Sequence, residues 1–220
     1  MSANARLNLD FINYWHAGSG RSSGYHLDAL CERDDSQLPI LPGRQLKGLL
    51  RHAVHRAEVW GWLSELPLPA GPLQSHEELL FGSRSQAESR HTTQPGLLRV
   101  DSARLPDAEH QWLAQSEQSE LREELFGELF STAINDQGSA QRYSLRGLQV
   151  CIPLRLQAAL DLSITASENA LRMQQQTYLQ SGTAWQVLEA SLPLLDALGA
   201  HRNRGLGEAR VTLDTAGQGA

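Results

Sequence analysis

The sequence has no long apolar run. Its hydrophobic stretches fall far short of the roughly 20 residues that a membrane-spanning helix needs, so no membrane association is expected. The N-terminal MSANARLNLDF carries no apolar signal region, which points to a cytoplasmic chain. Cysteine is scarce. Cys31 and Cys151 have no CxxC partner and no nearby metal-ligand pattern, and both are expected to be reduced and structural. Lysine is nearly absent, with Lys47 the single lysine among 19 basic residues. An excess of positive charge is missing too: the net charge is −6, unlike a free-standing nucleic-acid binder. No internal repeat is visible. What is present is ordinary for a soluble globular protein: 40% hydrophobic and 20% charged residues over 220 positions, enough for one large domain or two small ones.

The charge is unevenly placed. Arg44, Lys47, Arg51 and Arg56 run without an intervening acid, and Arg202, Arg204 and Arg210 are accompanied by Glu208 alone. Acids gather at Glu117, Glu120, Glu123, Glu124 and Glu128. Such a chain can turn a basic face to a polyanion and other faces to partner subunits.

The most organised stretch is LPGRQLKGLLR, from Leu41 to Arg51. Pro42 and Gly43 read as a turn, and a helix is expected from Arg44 to about Leu63. Leu46, Leu49, Leu50, Ala53, Val54 and Ala57 give it one buried face. Arg44, Lys47 and Arg51 share another. A cationic stripe of this kind is often a plain solvated face. It also suits an anion site, because a helix start offers free N–H groups and a positive dipole end, and arginine binds phosphate through two parallel hydrogen bonds.

Along the rest of the chain, alternation predicts a strand from Ala5 to Tyr14. A long Gly-, Ser- and Asp-rich loop occupies 16–41; loops of that length are functional or disordered. Ser75 and Glu78 suggest a capping box for a short helix ending at Phe81-Gly82. A polar loop then leads to a second strand, Gly96 to Ser102. Pro106 to Leu129 is acidic and helical in period, within an insertion at about 103–130, and a hairpin tip is expected at about 131–147. Leu148 to Ile164 reads as one or two strands. Thr183 to Leu198 reads as an amphipathic helix kinked at Pro193, and Ala209 to Leu213 as a closing strand. The pattern βαββαβ predicts a single α+β domain over 1–220, a modified ferredoxin-like fold that is also the plan of RNA-recognition domains. The aromatic RNA-binding signature of those domains is missing, so RNA would be bound by loops.

GAHRNRGLGEARV, from Gly199 to Val211, sits between a helix and a strand. That order excludes a dinucleotide fingerprint and a P-loop, which need strand, loop, then helix. His201, Arg202 and Arg204 lie among glycines that permit close backbone approach. The loop suits either a phosphate cradle or a plain turn.

LPILPGRQLKGLLR (Leu38 to Arg51) resembles the "IPGSSLKGALR" motif of the repeat-associated mysterious proteins (RAMPs) of CRISPR systems. The loop at Gly199 to Val211 resembles their C-terminal glycine-rich loop. Phe81-Gly82, LLRVDSARL and AINDQGSAQRYSLRG fall where the family has comparable elements. The likeness is strongest to the backbone subunit of type III effector complexes. It implies a subunit that binds CRISPR RNA, stacks in a filament with copies of itself and other effector subunits, and wedges a thumb hairpin between guide and target RNA. It implies metal-dependent target cleavage, with a divalent ion, Mg²⁺ by expectation, at an aspartate in the loop before the "IPG" motif. That position is Asp28, as catalytic residue and metal ligand, with Asp34 and Asp35 as rivals. The implied RNA-binding residues are His16, Arg44, Lys47, Arg51, Ile134, Arg142, Arg146, His201, Arg202, Arg204, Gly205 and Gly207. The sequence departs from the family pattern at His26 and Leu30, which replace a glycine and a proline, at Gln149, which replaces a glutamate, and at Ala200 in Gly199-Ala200. These departures fit a second reading, a non-cleaving backbone subunit as in type IV complexes. A third is a guide-processing endoribonuclease using His16 or His26, although those enzymes generally carry two ferredoxin-like halves.

Overall fold

Leu7 and Leu9 are wholly buried, with Ala5 and Phe11 close behind, while the residues between them face outward. This period of two makes β1 (Asn4–Phe11) a strand with one core face. It is the centre of the fold in the computed structural model, which describes residues 3–24, 26–83 and 93–215. Antiparallel β5 (Arg155–Leu162) lies on one side of β1 and β6 (Ala209–Thr215) on the other. The short β2 (Leu98–Val100) pairs with β5 beyond. The sheet order is β2-β5-β1-β6. Counted among these four strands alone, that is 2-3-1-4, the interleaved order of a split βαβ pair. The expected α+β class and the βαββαβ plan hold.

One face of the sheet is apolar and covered by helices. α1 (Gly43–Val59) buries Leu46, Leu50, Ala53, Val54 and Ala57 as its spacing demands. α5 (Asn169–Ser181) and α6 (Thr183–Ser191) complete the helical layer. The other face is polar, with the Gln157 amide donating to Asn8, Asn8 to Asp214, and Arg155 to Asp10. Gly43 is forced by packing: a Cβ there would sit 2.5 Å from the Val100 carbonyl oxygen, so only glycine lets α1 start against the end of β2.

The insertions differ in part from expectation. α2 (His76–Phe81) follows Ser75, whose hydroxyl accepts from Glu78 N at 3.0 Å, one half of the expected capping box; the Glu78 carboxylate accepts from Gln74 N rather than from Ser75 N. Residues 84–92 of the expected polar loop lie outside the described residues. The acidic segment holds two short α-helices, α3 (Asp107–Leu113) and α4 (Ser119–Glu123), with a 3₁₀ turn, Ser116–Gln118, between them. The helical period continues through LREELFGELF, but Phe126–Ser131 is a strand, β3, because it pairs antiparallel with β4 (Arg146–Cys151). Tertiary pairing here overrides a local pattern. β3 and β4 form a separate two-stranded sheet with residues 132–145 at its tip. The helix before β6 ends at Ser191, and Pro193 lies in a 3₁₀ turn, near the predicted kink.

Candidate functional site

The long loop before α1 is strapped to β4, near the end of the β3–β4 ladder from which the tip projects. Ala29 bridges Leu148 in parallel, and Gln149 N donates to the Ala29 carbonyl at 3.0 Å. Asp28 N donates to the Gly147 carbonyl, and Gly147 N donates back to Asp28 Oδ2, both at 2.8 Å. Gly147 is required for this clasp, since a Cβ there would lie 2.5 Å from the His26 carbonyl oxygen. Leu27 is buried while His26 and Asp28 are exposed, so a strand-like alternation turns both outward. The Asp28 carboxylate is therefore fixed through one oxygen and open at the other.

His26 is fixed as well. Its Nε2 lies 3.0 and 2.9 Å from the two Glu128 oxygens, and its ring meets Phe130 edge-on at 5.7 Å. Glu128 and Phe130 were not legible as site residues, because the segment reads as helix; read as strand, FGELFS puts the two on one face. The rival Asp34 is consumed by structure. Its Oδ1 accepts from Ser36 N and Leu38 N, and its Oδ2 pairs with His110 at 2.7 Å. Asp35 is exposed on the same turn. Among the described residues, no three His, Cys, Asp or Glu side chains gather to hold a metal.

At the hairpin tip, Ile134 is 62% exposed and Tyr143 fully so, and Leu145 and Phe130 are exposed beside them. Arg142 and Arg146 are exposed on the same arm.

The glycine loop reaches the site from the other end of the chain. Gly199 has φ +92° and sits where a Cβ would be 2.6 Å from the His16 carbonyl oxygen, which Ala200 N binds at 2.7 Å. His201 (φ +57°) leads into a 3₁₀ turn, Arg202–Arg204, closed by Gly205 in the left-handed region. The amides of Arg204, Gly205 and Gly207 donate to His201, Arg202 and Tyr14 carbonyls. Those amides are thus unavailable as a phosphate cradle, and Gly207 is buried against Leu198. The exposed Arg202 and Arg204 side chains remain open to an anion, and neither makes an ion pair among the described residues. His201 is exposed too, its ring 5.8 Å from that of His16; burial and the neighbouring His16 and Arg204 hold its pKa below the usual histidine value.

His16 itself is 2% exposed, so it is a junction rather than a surface contact. Its Nδ1 donates to the Gln149 carbonyl at 2.7 Å, and its backbone carbonyl anchors the glycine loop.

The cationic stripe of α1 divides. Arg44 is exposed and makes no ion pair among the described residues. Lys47 Nζ donates to the Leu98 carbonyl at 2.6 Å, and burial, then Arg51, lowers its pKa. Arg51 binds the buried Glu77 through Nε at 2.6 Å and the Gly82 carbonyl through Nη2 at 3.0 Å. The helix start is covered as well: Gly43 N donates to Ser102 Oγ. The stripe is therefore mostly internal scaffolding. Arg51→Ala is expected to cost about 2 kcal/mol by removing a short charged hydrogen bond from the buried Glu77. Arg44→Ala is expected to stay within about 0.5 kcal/mol. Urea midpoints of the two variants decide this, and equal losses would refute the division.

No curated protein matches the chain in sequence. Its fold is similar to chains in two type III-B Cmr-beta structures. One, in the apo state, has a TM-score of 0.60 at 10% identity and covers 96% of both chains. The other, bound to cognate target RNA, has a TM-score of 0.63 at 9% identity and covers 96% of this chain and 97% of that one. A chain of a type IV-B CRISPR complex aligns with a TM-score of 0.51 at 15% identity, over 99% of this chain and 92% of that chain. In sequence, the family model of the RAMP superfamily matches residues 8–210, and the chain belongs to that superfamily.

Proposed function

We propose that the chain is a backbone subunit of a type III-like CRISPR effector complex, which carries the guide RNA and cleaves complementary target RNA at Asp28. The observation that carries this reading is the clasp between Asp28 and Gly147. It holds an exposed carboxylate at the base of a hairpin tip that presents Ile134, Tyr143 and Leu145 to solvent. An apolar tip can part stacked bases, and a carboxylate at its root would then face the backbone of the parted strand. The exposed Arg44, Arg142, Arg146, Arg202 and Arg204 supply phosphate contacts that position RNA without reading its sequence. The other partners in this reading are copies of the chain, other effector subunits and target RNA, in the cytoplasm.

Asp28 fits Mg²⁺ as one hard oxygen ligand, the remaining positions falling to water and RNA phosphate. Such an ion would neutralise charge at the phosphate under attack. The chain's own part is to hold Asp28 Oδ1 open beside the hairpin, with His26 pinned next to it by Glu128. The non-cleaving reading rests on the departures from the family pattern at His26, Leu30, Gln149 and Ala200.

Guide binding is tested by Arg202→Ala/Arg204→Ala. The double variant is expected to lose affinity for guide RNA about tenfold or more and to reduce the salt slope of binding by about 2. Unchanged affinity and slope would remove the glycine loop from the RNA surface.

A further inference from the structure

The two cysteines take no part in the surface described above, yet they are neighbours. Cys31 lies within the Asp28 loop and Cys151 ends β4; they are 4% and 0% exposed. Each thiol lies close enough to the other to shift its titration. The backbone holds them there. Cys151 exchanges both hydrogen bonds with Trp15, at 2.8 and 3.1 Å, and Cys31 bridges Gly18 on the same segment. Cys31 N also donates to Gln149 Oε1 at 3.1 Å. Three chain segments thus converge to set two thiols side by side.

The two are chemically unequal. Cys31 Sγ lies 3.4 Å from His16 Nδ1 and 3.3 Å from the Gln149 carbonyl oxygen. The Cys151 thiol and the His16 ring pull Cys31 down to about 6, against its burial. Burial, then Cys31 itself, pushes Cys151 up. Such a pair has a thiolate nucleophile and a protonated partner beside it.

We propose that Cys31 and Cys151 form an oxidative modification site, a hydroperoxide-reactive pair that closes to an intramolecular disulfide. The Cys31 thiolate attacks one peroxide oxygen, the O–O bond breaks, and Cys31 becomes a sulfenic acid while the other oxygen leaves as hydroxide, which takes up the proton released by the Cys31 thiol and becomes water. Cys151 then attacks the Cys31 sulfur. The S–O bond breaks, and the hydroxyl leaves as a second water with the Cys151 proton. Two thiols and one hydrogen peroxide give one disulfide and two waters; the sulfurs are oxidised and the peroxide is reduced. Peroxide is about the size of water and reaches buried thiols through local opening. The bond ties the Asp28 loop to β4 covalently, three residues beyond the clasp.

The test is stoichiometric hydrogen peroxide on the full chain, followed by intact mass and a non-reducing peptide map. The expected result is a loss of about 2 Da that dithiothreitol reverses, with Cys31 and Cys151 in one linked peptide. A rise in Tm of about 5 °C should accompany it. Cys31→Ala should abolish the mass loss. Cys151→Ala should stop at a sulfenic acid that dimedone traps. Two free thiols in the folded, peroxide-treated wild type would overturn the proposal, and so would a map showing only bonds between chains. The wild-type map decides even if neither variant folds.

Discussion

Asp28→Ala is expected to leave guide loading and target binding intact and to slow target-RNA cleavage at least about 100-fold. The geometry makes this a test of chemistry rather than folding. The loop is held to β4 by backbone bonds, Asp28 N to Gly147 O and Gln149 N to Ala29 O, and both survive the substitution. What is lost is the carboxylate and one bond from Gly147 N. Asp28→Asn keeps an acceptor for that N–H and removes only the charge, so it should cut as poorly as the alanine variant. The measurement is single-turnover cleavage of labelled target RNA by the guide-loaded complex in Mg²⁺. An asparagine variant that cuts at the wild-type rate would make Asp28 a structural acid. A wild type that binds target and never cuts would establish the non-cleaving reading instead. Asp34→Ala offers a contrast. Removing that side chain frees Ser36 N, Leu38 N and His110 together, so it should be destabilising without being specific to cleavage.

The sequence carries the parts of the fold whose burial is apolar and periodic. Leu7, Leu9 and Phe11 announce β1, and Leu46, Leu50 and Val54 announce α1, because an apolar face alternates at the period of the element that buries it. α5 has no such signature. Its core-facing positions include Gln174 and Gln175, both buried, and their amides close the ends of loops. Gln174 binds Leu73 N, Leu73 O and Pro69 O, and Gln175 binds Thr165 N, Ala166 N and Pro95 O. A helix buried through satisfied glutamines looks polar in sequence. β3 fails for the opposite reason: its apolar residues also fit a helix, and only the distant β4 decides. Asp28 is singled out in the sequence through a motif. The clasp that orients it is not, since Gly147 and Asp28 are far apart in sequence. Nor is the internal use of Lys47 and Arg51. A cation on a helix face looks the same whether it meets solvent or a carbonyl from the next strand.

Trp15 carries the largest expected effect on stability, because it joins the sheet to the hairpin. Its ring is wholly buried and stacks on Phe11 at 4.4 Å, with planes 13° apart. Its Nε1 donates to the Ile152 carbonyl at 3.0 Å. Its backbone pairs with Cys151, and the next residue, His16, anchors the glycine loop. Trp15→Ala should cost about 3–5 kcal/mol, a large share of the 5–15 kcal/mol that holds a typical domain. Trp15→Phe keeps a ring to stack on Phe11 and loses the indole N–H, leaving the Ile152 carbonyl unpaired. Its cost should be smaller, about 1–3 kcal/mol. Denaturant titration gives both values. Amide exchange locates the damage: with Trp15 truncated, Gly147 and Gln149 amides should exchange faster than those of β1 and β5, since the hairpin loses its seat before the sheet loses its ladder. Uniform acceleration would mean that hairpin and sheet open as one unit. A cost under about 1 kcal/mol for Trp15→Ala would move the joint to the Asp28–Gly147 clasp, and Asp28→Ala would then have to be reread as a structural variant.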